Sequence, residues 1–363
     1  MADFTAKLVL APMVRIGELP TRLLALKYGA DLVWSPEIVD RKILTCERVY
    51  NKDLDTVDFL SSKGNKKIPG VTDLVFRTYR KLEKDRLIFQ MGTANPELAV
   101  KAAKIIVKDV DGIDINAGCP KHFSIHSGMG AALLSTPDLL CSILTSLVEQ
   151  VGKPERKPIS VKIRLLEEKK DTLDLVVRLV KTGITNLTVH FRTREMRNRE
   201  DPIRDYLDDI HKICKENNVS LIVNGGIRNY DNYKEIQSKY GSDVGCMIAS
   251  AAERNVSCFR SQGQLNWPQV AKDYIETATR YNNHPSNIKY CLLRMVPGTA
   301  SIHPVLNGLK ESEEMRDALI NIMGDDGEVK AGRDDITDDS RKRRRDVVEN
   351  VDKRIRVNEE CRV

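Results

Sequence analysis

Between Asp111 and Leu134 the chain reads DGIDINAGCPKHFSIHSGMGAALL, and two of its side chains are spaced to act on one small ligand. Asn116 stands three residues before Cys119, where a short strand turns through Gly118 and Pro120. A thiol with the usual pKa of about 8.5 is mostly protonated near neutrality, so it can give a proton to a developing carbanion or enolate. Taken alone the pair has a plainer reading, an ordinary loop or core cysteine. Other strand-like stretches end on similar groups. Gln90 lies in LIFQM, Lys162 and Arg164 alternate in VKIR, and His190 and Arg192 close VHFR. Asn224-Gly225-Gly226 follows LIV, and Ala249-Ser250-Ala251 follows CMI.

Each has a competing structural role. Lys162 between Val161 and Ile163 is costly to bury without a ligand, yet it can also snorkel or pair with an acid. His190 can be a satisfied core histidine. The small residues can be tight turns, or can expose backbone N–H groups to a phosphate.

The elements that must carry these groups alternate strand and helix. Strands are expected at 7–11, 30–35, 87–91, 110–116, 159–164, 186–191, 220–224 and 243–249. Helices are expected between them, including one entered at Gly128–Gly130 and running to Leu147. Eight such units in about 250 residues predict an α/β fold, a (β/α)8 TIM barrel. A doubly wound sheet would place a G-x-G-x-x-G turn after the first strand, where this chain has Pro12-Met13-Val14-Arg15. The expected organisation is a barrel over 1–262 and a small all-helical domain over 263–325. Within the barrel, residues 46–86 read as an irregular, Lys- and Asp-rich insertion.

The 363 residues are 41% apolar and 30% charged, enough for a large core under a solvated surface, and no apolar run suits a membrane span. The start lacks a signal-peptide pattern, and the eight cysteines form no close metal-type pair, so reduced thiols in the cytoplasm or nucleus and no metal are expected. The net charge of +6 suits a polyanionic partner. Residues 326–363 read as a charged tail, expected to be mobile in part; Arg341–Arg345 is either a nuclear import or RNA-contact run or a solubilising charge cluster.

On a barrel these polar ends converge on one face. Gln90, Lys162 and His190 would surround a polar ring system, with a phosphate near the glycine turns. Flavin mononucleotide (FMN) has that shape, and Asn116, Cys119, Arg164 and Arg192 would then face a substrate above it.

The ordered series LAPMV, GADLVWSPE, FQMGTANPE, DINAGCPKHFSIHSGMGAALL, VKIR, VHFRTR, IVNGGI and CMIASAA resembles the tRNA-dihydrouridine synthases. CPKHF, GMGAALL and NIKYCLLRM are similar to the eukaryotic branch that acts on uridine 20. The resemblance implies an FMN-bearing barrel, a helical tRNA-binding domain, NADPH as reductant and the D-loop of cytoplasmic tRNA as substrate. Hydride from flavin N5 would reach C6 of a flipped-out uracil while Cys119 protonates C5. Flavin contacts would fall on Pro12, Met13, Gln90, Lys162, His190, Asn224, Gly225, Gly226, Ala249 and Ser250, and uracil contacts on Asn116, Arg164 and Arg192. A monomer is expected.

Three positions depart from the family pattern. Ala117 is readily accommodated, Phe191 is expected to reshape the mouth beside His190, and Ser250 removes a charge near the phosphate. One relative in this branch carries an appended double-stranded RNA-binding domain, for which residues 326–363 are too short, so tRNA docking is expected to use the barrel and the helices, with the basic tail as a further candidate. Two alternatives stay open, a flavin oxidoreductase of small pyrimidines and a non-catalytic tRNA-binding protein.

Overall fold

In the computed structural model, which describes residues 2–62, 72–121 and 125–322, the strand ends gather because eight short parallel strands close on themselves. β1 (Leu8–Leu10) and β2 (Leu32–Trp34) begin the barrel. After a two-residue strand, β3 (Ile38–Val39), and an excursion of β4 (Cys46–Asn51), β5 (Thr56–Ser61) and β6 (Asp73–Thr78), the barrel resumes. It continues with β7 (Leu87–Gly92), β8 (Gly112–Ala117), β9 (Ile159–Arg164), β10 (Asn186–His190), β11 (Ser220–Asn224) and β12 (Gly245–Ile248). β1 pairs with β12 and β2 with β7, which closes the ring. These strands are rich in Val, Ile and Leu and buried on both faces, as parallel strands under a helical layer must be.

Val9, Ala11, Leu32, Trp34, Ile88, Ile222 and Met247 pack into one cluster with Ala2 and Phe4. The Phe4 and Trp34 rings lie 6.0 Å apart, so the N-terminal segment stoppers the barrel. The register then sets the height of each polar group. Asn116 pairs with Lys162, Arg164 with His190, and His190 with Asn224.

The excursion is not irregular. β4, β5 and β6 form an antiparallel meander that buries Val57, Phe59 and Phe76. Its charged residues alternate with apolar ones at the two-residue period of a strand, and the apolar face sits against the barrel, with Phe76 edge-on to Phe89 at 5.4 Å. Bidentate pairs from Arg48 to Asp109 and from Arg80 to Asp111 fasten it further.

The helix expected from Gly130 to Leu147 is broken in two. A 3-10 turn covers Gly130–Ser135, and the helix proper is Pro137–Leu147. Pro137 disfavours helical backbone at the residue before it, and Thr136 has φ −130° and ψ 62°.

After the barrel come helices Trp267–Arg280, Pro285–Met295, Ile302–Gly308 and Ser312–Ile322. They bear directly on the barrel: Asp273 binds Lys27 and Tyr28, Glu253 binds Arg294, and Arg15 lies 3.9 Å from the Tyr290 ring. Among the described residues no helix is long and apolar enough to cross a membrane. The charged tail expected at 326–363, including Arg341–Arg345, lies outside the described residues, as do residues 63–71 and 122–124.

Candidate active site

Two adjoining cavities open where the strands end, one of about 310 Å³ and one of about 420 Å³. Both are of ligand size. Pro12, Lys121, Lys162, Arg164 and His190 line both, so the two halves form one continuous cleft. The first half adds Met13, Gln90, Asn116 and Cys119; the second adds Arg192, Asn224, Gly225, Gly226, Ala249 and Ser250. Every residue expected from the sequence to contact flavin or uracil therefore lines this cleft.

Lys162 stands at its centre. Burial, reinforced by the like charge of Arg164, pulls its pKa down to about 8, while Asp114 partly offsets this. Among the described residues its ammonium has no hydrogen-bond partner, so its donors are free for a ligand. Below it, Asp114 accepts from Gln90 Nε2 at 2.8 Å and from Ser160 Oγ at 2.6 Å. Full burial raises this carboxyl to about 6. Because Gln90 donates downward, its amide oxygen is left as an acceptor.

His190 is neutral. Burial, followed by the charges of Lys162, Arg164, Arg192 and Arg204, drives its pKa down to about 2. Arg192 Nη1 lies 3.1 Å from Nε2, and a guanidinium only donates, so Nε2 accepts and the ring proton resides on Nδ1.

Cys119 is held by backbone contacts. Asn116 Oδ1 accepts from the N–H groups of Gly118 at 3.0 Å and Cys119 at 3.1 Å. Arg164 Nε grips the Gly118 carbonyl at 2.9 Å and Nη1 that of Thr193 at 2.8 Å. Burial raises the thiol above its ordinary value, with Lys121 and Arg164 opposing and Glu37 assisting. The sulfur thus carries its proton at neutral pH, the state an acid needs and a nucleophile does not.

Glycine is required at the far end. Gly225 has φ +99°, and a Cβ there would fall 2.9 Å from the His190 ring and 3.1 Å from Arg192 Nη1. Ser250 lies at this end, as do two arginines not singled out from sequence, Arg228 and Arg254. Phe191 does not reshape the mouth. Strand alternation turns it away from His190 into the core, where Arg204 lies 5.2 Å from its ring.

Glu37, Lys121, Glu253 and Tyr290 also line the cleft without having been foreseen. Glu37 and Lys121 sit inside stretches already marked by motif, GADLVWSPE and CPKHF. Tyr290 comes from a helix beyond the barrel and lies in another marked stretch, NIKYCLLRM. Among the described residues no cluster of His, Cys, Asp or Glu could hold a metal.

A protein that merely binds RNA has no use for a protonated thiol, a lone ammonium and a neutral imidazole converging inside a closed barrel. The class is a (β/α)8 barrel enzyme with its chemistry at the carboxyl ends of the strands. The family model for dihydrouridine synthase matches residues 9–338, and the chain belongs to that family. It is 53% identical over 334 residues to a Saccharomyces cerevisiae tRNA-dihydrouridine(20) synthase (NAD(P)+), covering 90% of this chain and 86% of that protein. Identity to the Schizosaccharomyces pombe protein of the same name is 48% over 324 residues, covering 88% of this chain and 66% of that one. A Saccharomyces cerevisiae tRNA-dihydrouridine(20a/20b) synthase (NAD(P)+) is 28% identical over 306 residues, covering 83% of this chain and 76% of that one.

Proposed function

We propose that the protein is a tRNA-dihydrouridine(20) synthase that uses bound FMN and NADPH to reduce a D-loop uridine. The observation that carries this is that Cys119, whose thiol burial keeps protonated, lines the same cavity as Lys162 and His190. The family and the two yeast relatives support the same reading.

The cleft suits FMN. Lys162 and the Nδ1–H of His190 are unused donors, Gln90 keeps an acceptor, and the side-chain-free Gly225-Gly226 turn faces a space ringed by Arg228 and Arg254. These groups would hold one ring and one phosphate, with Pro12, Met13, Asn224, Ala249 and Ser250 shaping the walls. Bound there, FMN would supply hydride chemistry, with NADPH as its reductant. Cys119 supplies the proton to C5 of the base. Arg164 holds the Cys119 loop through Gly118, and Arg164 and Arg192 present positive charge to the uracil carbonyls. The helices at 263–325 and the basic tail would dock the tRNA phosphates. Extruding the base disturbs least stacking in a loop.

The test is a visible spectrum of the purified protein, then incubation with NADPH and unmodified tRNA and mapping of dihydrouridine by position. A flavin spectrum with product confined to position 20 is expected. Turnover of free uridine or dihydropyrimidines in preference to tRNA would favour small-molecule chemistry, and tight tRNA binding without flavin would favour a binding protein.

A further inference from the structure

We propose that Glu37 is the positioning residue that holds the Cys119 loop over the cleft, acting through Asn116; this rests on the reading of Cys119 as the proton donor. Glu37 follows β2 directly after Ser35-Pro36 and lines the same half of the cleft as Cys119. Its carboxylate lies across Gly92 at the end of β7, where any Cβ would sit 2.6 Å from Oε1. Gly92 thus leaves the space that Glu37 occupies.

The carboxylate neighbours the side chain of Asn116 at the end of β8, which favours its charged form against burial. The Asn116 oxygen is already committed to the N–H groups of Gly118 and Cys119, so only its NH2 group can donate to Glu37. A continuous path results: Glu37 fixes the Asn116 amide plane, and that plane fixes the two N–H groups that aim the thiol. Three strand ends, β2, β7 and β8, meet at this carboxylate.

A side chain kept for packing alone would be better uncharged here. Oε1 is buried without a partner among the described residues, and burial raises the Glu37 carboxyl despite Asn116 and Lys121. The charge has a use next to the thiol. Lys121, Lys162 and Arg164 surround Cys119 and favour the thiolate, whereas Glu37 favours the protonated sulfur. Glu37 therefore aims the thiol and opposes its ionisation at once.

Two variants separate these effects. Glu37→Gln keeps an oxygen for Asn116 and removes the charge; Glu37→Ala removes both. Cys119 alkylation by iodoacetamide is followed site by site by mass spectrometry across a pH series in the full-length protein. The profile in Glu37→Gln is expected to move to lower pH, with alkylation near neutrality about threefold to tenfold faster than wild type. In tRNA reduction, Glu37→Ala is expected to lose about tenfold or more in kcat, beyond the loss in Glu37→Gln, with the KM for tRNA little changed and FMN still bound. Wild-type alkylation profiles in both variants, or wild-type kcat in Glu37→Ala, would overturn the assignment. Alkylation needs no tRNA, so failure of the wild-type protein to reduce tRNA would refute the function while leaving the Glu37 comparison decisive.

Discussion

Replacing Lys162 by methionine should make the flavin-free protein more stable while weakening its hold on FMN. The ammonium sits inside the barrel mouth, where burial and Arg164 lower its pKa from 10.5 to about 8. A lysine whose pKa falls on folding binds its proton less tightly in the folded state. Below about pH 8 both states are charged and the folded state bears the whole penalty. Between about 8 and 10.5 the unfolded chain holds more protons, so stability rises with pH, and above 10.5 the penalty is gone. That interval corresponds to about 3 kcal/mol. The figure is an upper bound, because the ammonium faces a cleft that admits water and Asp114 returns part of the loss.

Methionine has similar length and no charge, so Lys162→Met should gain roughly 1–3 kcal/mol at pH 7. The gain should shrink as pH rises through 8 to 10.5. Urea unfolding of both flavin-free proteins at several pH values measures this, and titration with FMN measures the other half. Losing a charged hydrogen bond should weaken FMN by about tenfold to a hundredfold. A methionine variant less stable than wild type at pH 7 would refute the reasoning, since Lys162 would then be serving the fold. Wild-type FMN affinity would refute its role as a free donor.

Other outcomes follow from the same cleft. Cys119→Ala should reduce turnover by about 10²- to 10⁴-fold with the flavin spectrum intact, and product at the wild-type rate would exclude the thiol as donor. Because burial holds the thiol above its ordinary value, wild-type activity assigned to it should stay level through neutrality and fall only in alkaline solution, as the proton is lost. Gly225→Ala combines a positive φ with a Cβ against His190, so it should lose roughly 1–3 kcal/mol of stability and loosen FMN, both visible in thermal melts and flavin titration. Arg254→Ala should loosen FMN by about tenfold, as measured by flavin fluorescence, if Arg254 supplies charge that Ser250 lacks.

The barrel was legible because its strands are short apolar runs at regular spacing, and the third to eighth of them end on polar or small residues. Lys162 illustrates the logic: a lysine between Val161 and Ile163 announces either a ligand or a hidden partner, and the structure leaves its donors free. Where sequence misled, a local cue had masked another. The abundance of Lys and Asp over 46–86 obscured the two-residue alternation of Val57, Phe59 and Phe76. Phe191 drew notice for its size, but register decides its direction, and that turns it from the mouth. Tyr290 and Glu37 sit inside marked motifs, NIKYCLLRM and GADLVWSPE, but only the tertiary structure shows that their side chains reach the cleft.

The hydrogen bonds also change what the two arginines at the mouth can do. Arg164 commits Nε and Nη1 to the carbonyls of Gly118 and Thr193. Arg192 commits Nε, Nη1 and Nη2 to Glu200, His190 and Asn198. They are clamps on the loops after β8 and β10 before they are ligands for a base. Their charge still faces the cleft, but little donor capacity remains for forked recognition of a carbonyl or phosphate. Arg192 also fixes the His190 tautomer, which a lysine with one movable ammonium would do poorly. Arg192→Lys should therefore affect FMN affinity through His190 as well as substrate turnover, whereas a pure substrate ligand would leave FMN affinity at the wild-type value.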